Sequence, residues 1–93
     1  MKIVWLPQAQ ITRFAQLDYI AQDNPLAAIA QDEEIERQVD VLINHPELGR
    51  LGRVLGTREL VISYTSFIVV YRISGQRIEI LRVLHSSQLW SDE

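Results

Sequence analysis

The sequence predicts an α+β domain in which one helical hairpin packs against a twisted antiparallel sheet. Two observations carry this prediction. The second half contains three runs rich in β-branched and aromatic residues, at positions 56–62, 67–73 and 78–85, and turn-forming residues separate them. The first half contains two segments with helical periodicity, joined by a short break. A short apolar run precedes them, so the expected order is strand, helix, helix and then three strands.

The first strand and the first helix are expected within the first 22 residues. Lys2 to Leu6 favours a strand, which Pro7 stops because proline has no backbone N–H to donate. Residues 8–22 favour a helix. Its apolar residues fall on one arc, which is the expected core face and consists of Ile11, Phe14, Leu17 and Ala21.

The second helix is expected to run from Pro25 to about Asn44. Asn24 can cap it, and a proline suits the first helical position because the N–H it lacks would have no partner there. The helix should end near Asn44 because His45 precedes Pro46, and a residue before proline disfavours the helical conformation. Its expected core face consists of Ala28, Ile35, Val39 and Leu42.

The three later strands are expected to form a meander. Ile68 to Tyr71 is a continuous apolar run, which is typical of a central strand covered on both faces. Ser74-Gly75-Gln76 predicts a tight turn into the last strand. That strand has two alternating sets, with Ile78, Ile80, Arg82 and Leu84 on one side and Arg77, Glu79, Leu81 and Val83 on the other.

Length and composition limit the kinds of protein that this chain could be. Its 93 residues, of which 47% are apolar, fit one domain over residues 1–93 with a single modest core. The chain has no cysteine and only two histidines, which excludes disulfides and thiolate sites and leads us to expect no metal and no cofactor. No apolar run is long enough for a signal peptide or a membrane span, so we expect a cytoplasmic protein.

The charges are unevenly distributed along the chain. The overall net charge of −3 argues against a protein that coats nucleic acid. Residues 1–49 hold three basic and eight acidic residues, a net charge of −5, whereas residues 50–90 hold six arginines and two glutamates, a net charge of +4. Two interpretations remain open. The arginines either pair with Glu59 and Glu79 across the sheet or form a surface for an anionic partner.

Five segments in this order resemble toxins of the ParE/RelE superfamily, which are the toxin halves of bacterial type II toxin–antitoxin systems. The segments are Tyr19–Pro25, His45–Arg50, Gly56–Leu60, Ile68–Arg72 and Glu79–His85. The resemblance covers essentially the whole chain and implies the fold predicted above. This sequence departs from the family pattern at four polar residues, where relatives usually carry aliphatic ones: Gln10, Arg13, Gln16 and Gln31. These positions are either more hydrated here or covered by a partner.

The resemblance implies one of two activities. RelE-like members are ribosome-dependent mRNA endoribonucleases, and RNA cleavage of this kind needs a base, an acid and cations around the phosphate. ParE-like members inhibit DNA gyrase by binding it. Here the only lysine is Lys2, and the strand entry that often carries an arginine in nucleases reads Phe67-Ile68. The sequence therefore favours a ParE-like gyrase inhibitor, neutralised by a cognate antitoxin. A third reading is a non-toxic, antitoxin-binding protein with the toxin fold.

The resemblance and the arginine pattern together predict the functional residues. For target binding these are Arg58, Arg72, Arg82, His85 and Trp90. If the chain is instead a nuclease, His85, Arg82 and Arg58 are the catalytic candidates, and the partner is ribosome-bound mRNA. The alternative for His85 is a ring that packs at the strand end. A homodimer and a toxin–antitoxin heterotetramer are both compatible with the sequence.

Overall fold

The computed structural model describes residues 1–87, in which two helices and five strands follow one another. In chain order the elements are β1 (Lys2–Trp5), α1 (Pro7–Ala21), α2 (Pro25–Asp40), β2 (Arg50–Leu51), β3 (Arg58–Val61), β4 (Phe67–Ser74) and β5 (Arg77–His85). A single 3-10 turn, Val41–Ile43, extends α2. This is the predicted α+β order, with one additional two-residue strand, β2, in the segment expected to be a link. No helix in the described part is long and apolar enough to cross a membrane.

The five strands form one sheet in the order β1-β5-β4-β3-β2. The meander of β3, β4 and β5 is antiparallel, as predicted. The edge strand β1 instead pairs in parallel with β5, Lys2 opposite Arg77 and Trp5 opposite Ile80. The sheet is therefore mixed, which is common where an otherwise uniform sheet acquires an edge strand of the other direction.

The second helix agrees closely with the sequence prediction. The Asn24 side chain accepts a hydrogen bond from the Ala27 N–H at 3.1 Å, so the predicted N-cap is confirmed. The helix ends at Asp40, and the 3-10 turn carries the chain to Ile43, close to the expected end at Asn44. The predicted core face is also confirmed, because all four of its members are buried: Ala28, Ile35, Val39 and Leu42.

The predicted core face of α1 is wrong at its first two positions. Ile11 is 60% exposed and Phe14 is 72% exposed. The helix contacts β5 instead through Ala9, which is buried, and Thr12, whose hydroxyl accepts a hydrogen bond from the Val83 N–H at 2.9 Å. Small and polar residues let the helix lie close to the strand, but they give no hydrophobic signal in the sequence.

Strand register separates the two faces of the sheet, since residues directly opposite one another project to the same side. Both helices cover one face, here called the helix face. Its core is made by residues of the two helices and of the strands, including Ile35, Val39, Leu60, Phe67, Val69, Tyr71, Ile78, Ile80 and Val83. The other face, here called the open face, has no helix over it in the described part of the chain.

A β-bulge in β5 changes which residues of the strand project to each face of the sheet beyond that point. Tyr71 is opposite Ile80 and Val70 is opposite Arg82, so Leu81 is the extra residue. Beyond the bulge Val83 enters the helix-face core, whereas Arg82 projects to the open face. The alternation predicted for the last strand is therefore wrong after Ile80. The buried run Phe67–Tyr71 confirms β4 as the central strand.

Candidate functional site

The open face of the sheet carries four of the six arginines of residues 50–90, arranged around two buried carboxylates. Glu79 is only 6% exposed and is opposite Arg72. The Arg72 Nε donates to Glu79 Oε1 at 2.7 Å, and the Arg77 guanidinium bonds the other carboxylate oxygen. These two guanidinium groups hold the pKa of Glu79 below its ordinary value, because both favour the charged carboxylate. One carboxylate thus anchors two arginines that are each about half exposed.

The second buried carboxylate is Glu59, which is 5% exposed. The Arg50 Nη2 lies 3.1 Å from its Oε1, and the backbone N–H of Arg53 donates to its Oε2 at 3.1 Å. Since β2 pairs with β3 at this point, the glutamate fixes the short outer strand as well as its arginine. The interpretation in which arginines pair with Glu59 and Glu79 is therefore correct for Arg50, Arg72 and Arg77.

Arg82 differs from these arginines. It lies in one transverse row with Val70, Glu59 and Arg50, on the open face. Its Nη1 donates to the carbonyl of Leu81, the bulged residue, at 2.7 Å. No ion pair involves Arg82 among residues 1–87. Of the arginines predicted to bind a target, Arg82 and Arg72 lie on the same face of the sheet.

Arg58 lies on the helix face and is separated from both of these residues by the sheet. It is opposite Tyr71, and its Nη1 donates to the carbonyls of Glu47 at 3.2 Å and Gly49 at 2.8 Å. Arg58 and Arg82, both predicted to bind a target, therefore project to opposite faces of the sheet. Arg58 fixes the backbone of the segment after the 3-10 turn.

The Tyr71 hydroxyl binds the same segment. It donates to the Pro46 carbonyl at 2.7 Å and accepts from the Gly49 N–H at 2.9 Å. Burial of the phenol raises the pKa of Tyr71, since a phenolate would lose its hydration there. Residues 46–49, here called the latched loop, are thus held by the side chains of Tyr71 and Arg58.

His85 and Trp90 complete the set of predicted residues. His85 is opposite Phe67, and its Nδ1 accepts from the Ser87 N–H at 3.2 Å and lies 2.8 Å from the Ser87 hydroxyl. Trp90 lies outside the described residues.

The three nuclease candidates do not converge. Arg82 projects to the open face, whereas His85 and Arg58 project to the helix face. On that face His85 is opposite Phe67 and Arg58 is opposite Tyr71, four residues apart along β4, which corresponds to about 13 Å. Among residues 1–87 no group of three or more metal-ligating side chains is present.

A second surface lies on the helical hairpin, and the sequence interpretation did not assign it a role. A cavity of about 250 Å³ and a neighbouring one of about 430 Å³ share Phe14, Leu17 and Asp32. We call this surface the hairpin groove. Its lining residues are Trp5, Gln10, Arg13, Phe14, Leu17, Asp18, Ala21, Ala28, Ile29, Asp32 and Glu36. The signal that could have identified it was the apolar arc of α1, in which Phe14 is exposed while Leu17 packs against the core.

Arg13 links the two helices at one end of the hairpin groove. Its guanidinium binds Asp32 at 2.6 Å and Glu36 at 3.0 Å, and it lies 4.5 Å from the centre of the Trp5 ring. This network gives the arginine at this position a structural role in joining the two helices. Its side chain is largely buried, while both carboxylates remain about half exposed.

The chain is similar to known toxins over nearly its whole length. Residues 3–90 match the family described as the ParE toxin of the type II toxin–antitoxin system parDE. The chain is 44% identical over 72 residues to Y4kP of Sinorhizobium fredii, which is named as a toxin; the match covers 77% of this chain and 74% of that one. It is 32% identical over 88 residues to Toxin RelE2 of Caulobacter vibrioides, covering 95% and 98% of the two chains.

A solved structure shows the same fold. A chain of the chromosomal ParDE TA system from P. aeruginosa has a TM-score of 0.82 and 27% identity with this chain, covering 91% of this chain and 95% of that one. The predicted fold and the predicted resemblance are both confirmed.

Proposed function

We propose that this chain, which belongs to the ParE toxin family of type II toxin–antitoxin systems, inhibits DNA gyrase by binding it and is neutralised by a cognate antitoxin. The observation that carries binding over cleavage is the geometry of the nuclease candidates. Arg82 is on one face of the sheet, and His85 and Arg58 are on the other. General acid–base chemistry needs its groups within hydrogen-bond reach of one substrate, whereas inhibition by binding needs only a complementary surface.

The open face is the surface that we assign to the target. It carries Lys2, Arg50, Arg72, Arg77 and Arg82 against two buried glutamates, a net charge of +3. The glutamates hold three of the arginines in fixed positions, so little side-chain freedom is lost when a partner binds. Gyrase works on DNA and would present anionic surface near its active complex. Charge complementarity of this kind governs encounter rate and specificity.

Two assays on the purified chain test the proposal. We expect inhibition of gyrase supercoiling and intact mRNA in a ribosome-dependent cleavage assay. Arg82→Ala should weaken gyrase inhibition at least about tenfold, which corresponds to about 1.4 kcal/mol, because its charge is not neutralised within residues 1–87. The matched control is Arg37→Ala, which removes the same charge from an exposed arginine of α2 paired with Glu34. Equal effects of the two variants would contradict the assignment of the open face.

The alternative is a ribosome-dependent endoribonuclease, and it is favoured by the similarity to a protein named Toxin RelE2. In that case mRNA cleavage should accompany growth arrest and gyrase should remain active. The two outcomes exclude one another in the same pair of assays. Both activities would place the protein in the cytoplasm, where gyrase and ribosomes are found.

A further inference from the structure

The segment between β2 and β3 exposes two leucines to water. Leu55 is 99% exposed and Leu51 is 78% exposed, and Arg53, which lies between them in the sequence, is exposed as well. Arg53 forms no ion pair within residues 1–87. We call residues 51–57 the Leu55 loop. It presents two apolar side chains and one cation to its surroundings.

Polar contacts hold the Leu55 loop in shape without burying either leucine. The Gly52 N–H donates to the Thr57 carbonyl at 2.8 Å, and the N–H and the hydroxyl of Thr57 donate to the Val54 carbonyl at 3.1 Å and 2.6 Å. The backbone N–H of Arg53 donates to the buried carboxylate of Glu59 at 3.1 Å. A loop that is fixed in this way loses little conformational freedom when a partner binds.

The backbone at Gly56 also specifies the shape of the loop. Its φ of +83° lies in the left-handed region, which residues with a side chain seldom adopt. A Cβ atom at this position would have no other atom within 4 Å. An alanine here would therefore strain the backbone of the loop without causing a clash.

The Leu55 loop is continuous with the open face. One carboxylate oxygen of Glu59 binds the backbone of the loop and the other binds the Arg50 guanidinium, and Glu59 lies in the same transverse row as Arg82. Residues 50–58 contain three arginines and no acidic residue. A surface complementary to the loop is therefore apolar where it meets Leu55 and acidic around that contact.

We propose that Leu55 anchors the chain in an apolar pocket with an acidic rim, and that this pocket lies on the gyrase protein and not on its DNA. The inference rests on the proposed function and adds a contact that charge alone does not provide. Transfer of a leucine side chain from water into such a pocket corresponds to at least about tenfold in affinity. Arg53 meets the acidic rim, and the rigid loop fixes the position of the open face on the target.

Other occupants fit the Leu55 loop less well. A lipid bilayer would bury two leucines, which is less apolar surface than one myristoyl chain, and one such chain gives only marginal binding. Contact between the loops of two copies would bring their arginines together, so like charges oppose it. A leucine inserted into DNA has to unstack the bases, and proteins that do this recover the free energy by wrapping bent DNA over a large surface. This short loop offers no such surface.

The supercoiling assay with purified gyrase measures the contribution of Leu55. Leu55→Ser should weaken inhibition at least about tenfold, because serine cannot fill an apolar pocket. Leu26→Ser is the matched control, since Leu26 is 78% exposed near the start of α2, and it should leave inhibition unchanged. Both variants should keep the melting temperature of the wild-type chain, because both leucines lie in water. Equal inhibition by the wild-type chain and Leu55→Ser would overturn the proposal.

A pair of glycine variants tests whether the fixed shape of the loop matters. Gly75, in the turn between β4 and β5, has a φ of +61°, and a Cβ atom there would also have no other atom within 4 Å. Gly56→Ala and Gly75→Ala should therefore lower the melting temperature by similar amounts. Only Gly56→Ala should weaken gyrase inhibition. Equal inhibition by the two variants would contradict the role of a rigid loop.

Measurements without gyrase test the other occupants. Vesicles of anionic phospholipid, a short DNA duplex and a second copy of the chain are tested for binding by sedimentation, fluorescence anisotropy and light scattering. We expect Leu55→Ser to behave like the wild-type chain in all three. Binding that this substitution abolishes would assign the loop to that occupant and overturn the proposal.

Growth arrest in cells separates a wrong anchor from a wrong target. If the wild-type chain does not inhibit supercoiling, the proposed function fails, and the assignment of the pocket to gyrase fails with it. Growth arrest that Leu55→Ser loses and Leu26→Ser keeps would then assign the anchor to another protein target. Growth arrest that is equal in both variants would overturn the role of Leu55 for any target.

Discussion

The latched loop gives the sharpest stability prediction, through the substitution Tyr71→Phe. The phenol is fully buried, and its hydroxyl makes two hydrogen bonds, to the Pro46 carbonyl and from the Gly49 N–H. Phenylalanine fills the same volume but leaves both backbone groups without their partner. A buried group left unsatisfied is destabilising by about 1–3 kcal/mol. Gly49 is buried whereas Pro46 is partly exposed and water can reach it, so we expect a total loss of about 2 kcal/mol.

Chemical and thermal denaturation followed by circular dichroism measure this loss. For a domain of this size about 2 kcal/mol corresponds to a fall of roughly 8–16 °C in the melting temperature. Tyr64→Phe is the matched control, since Tyr64 is 87% exposed and the same hydroxyl is removed in water. Its effect should stay within about 0.5 kcal/mol. If the two variants differ by less than that, the hydroxyl of Tyr71 does not hold the loop and the reasoning is refuted.

Three further predictions concern the same network, the open face and the end of β5. Gly49→Ala should lower the free energy of unfolding by about 1–3 kcal/mol, because the new methyl group would lie 2.7 Å from the Cε1 atom and the hydroxyl oxygen of Tyr71. Calorimetry measures this loss, and an unchanged melting temperature would contradict the prediction. Glu79→Gln should flatten the dependence of the unfolding free energy on pH. Folding lowers the pKa of Glu79 from 4.5, so the wild-type carboxylate stabilises the fold above that pH and this stabilisation is lost as the pH falls through the folded pKa. Melting curves recorded across the acid range measure the difference between the two proteins. Under the proposed binding mechanism His85→Ala should fold and keep most of its gyrase inhibition, because binding needs no proton transfer by the ring. A folded variant that loses about a hundredfold or more in activity would favour the nuclease.

Helix α2 shows what can be predicted from sequence in this protein. Ile35, Val39 and Leu42 are large apolar residues with helical spacing, and burial of such residues dominates folding, so the pattern and the structure agree. Helix α1 shows what cannot. It packs through Ala9 and Thr12 as well as Leu17 and Ile20, and neither a small residue nor a hydroxyl gives a hydrophobic signal in the sequence. The predicted apolar arc of α1 is divided between core and surface, because Leu17 packs against the core whereas Ile11 and Phe14 are exposed.

The face on which Arg82 lies depends on a β-bulge that no local sequence pattern predicted. Strict alternation places Arg82 on the same side as Ile80 and therefore in the core. The bulge at Leu81 moves it to the open face, where it is partly exposed. Arg58 lies on the helix face for a related reason: its strand was predicted correctly, but which side faces the helices depends on the register with β4. The residue types of the site were thus predictable, whereas their grouping required the sheet.

The separation of the acidic hairpin from the arginine-bearing face gives the molecule a strong electric dipole. Its net charge of −3 would repel an anionic partner at long distance, yet residues 7–40, which form the two helices on one side of the sheet, hold a net charge of −5. The Debye length at physiological ionic strength is about 8 Å, which is shorter than the radius of gyration of 12.6 Å. A partner close to the arginines is therefore screened from the helices behind them. The helix side of this small protein is negatively charged and the arginine-bearing face is positively charged. The overall isoelectric point therefore predicts the electrostatic attraction of a partner to neither side.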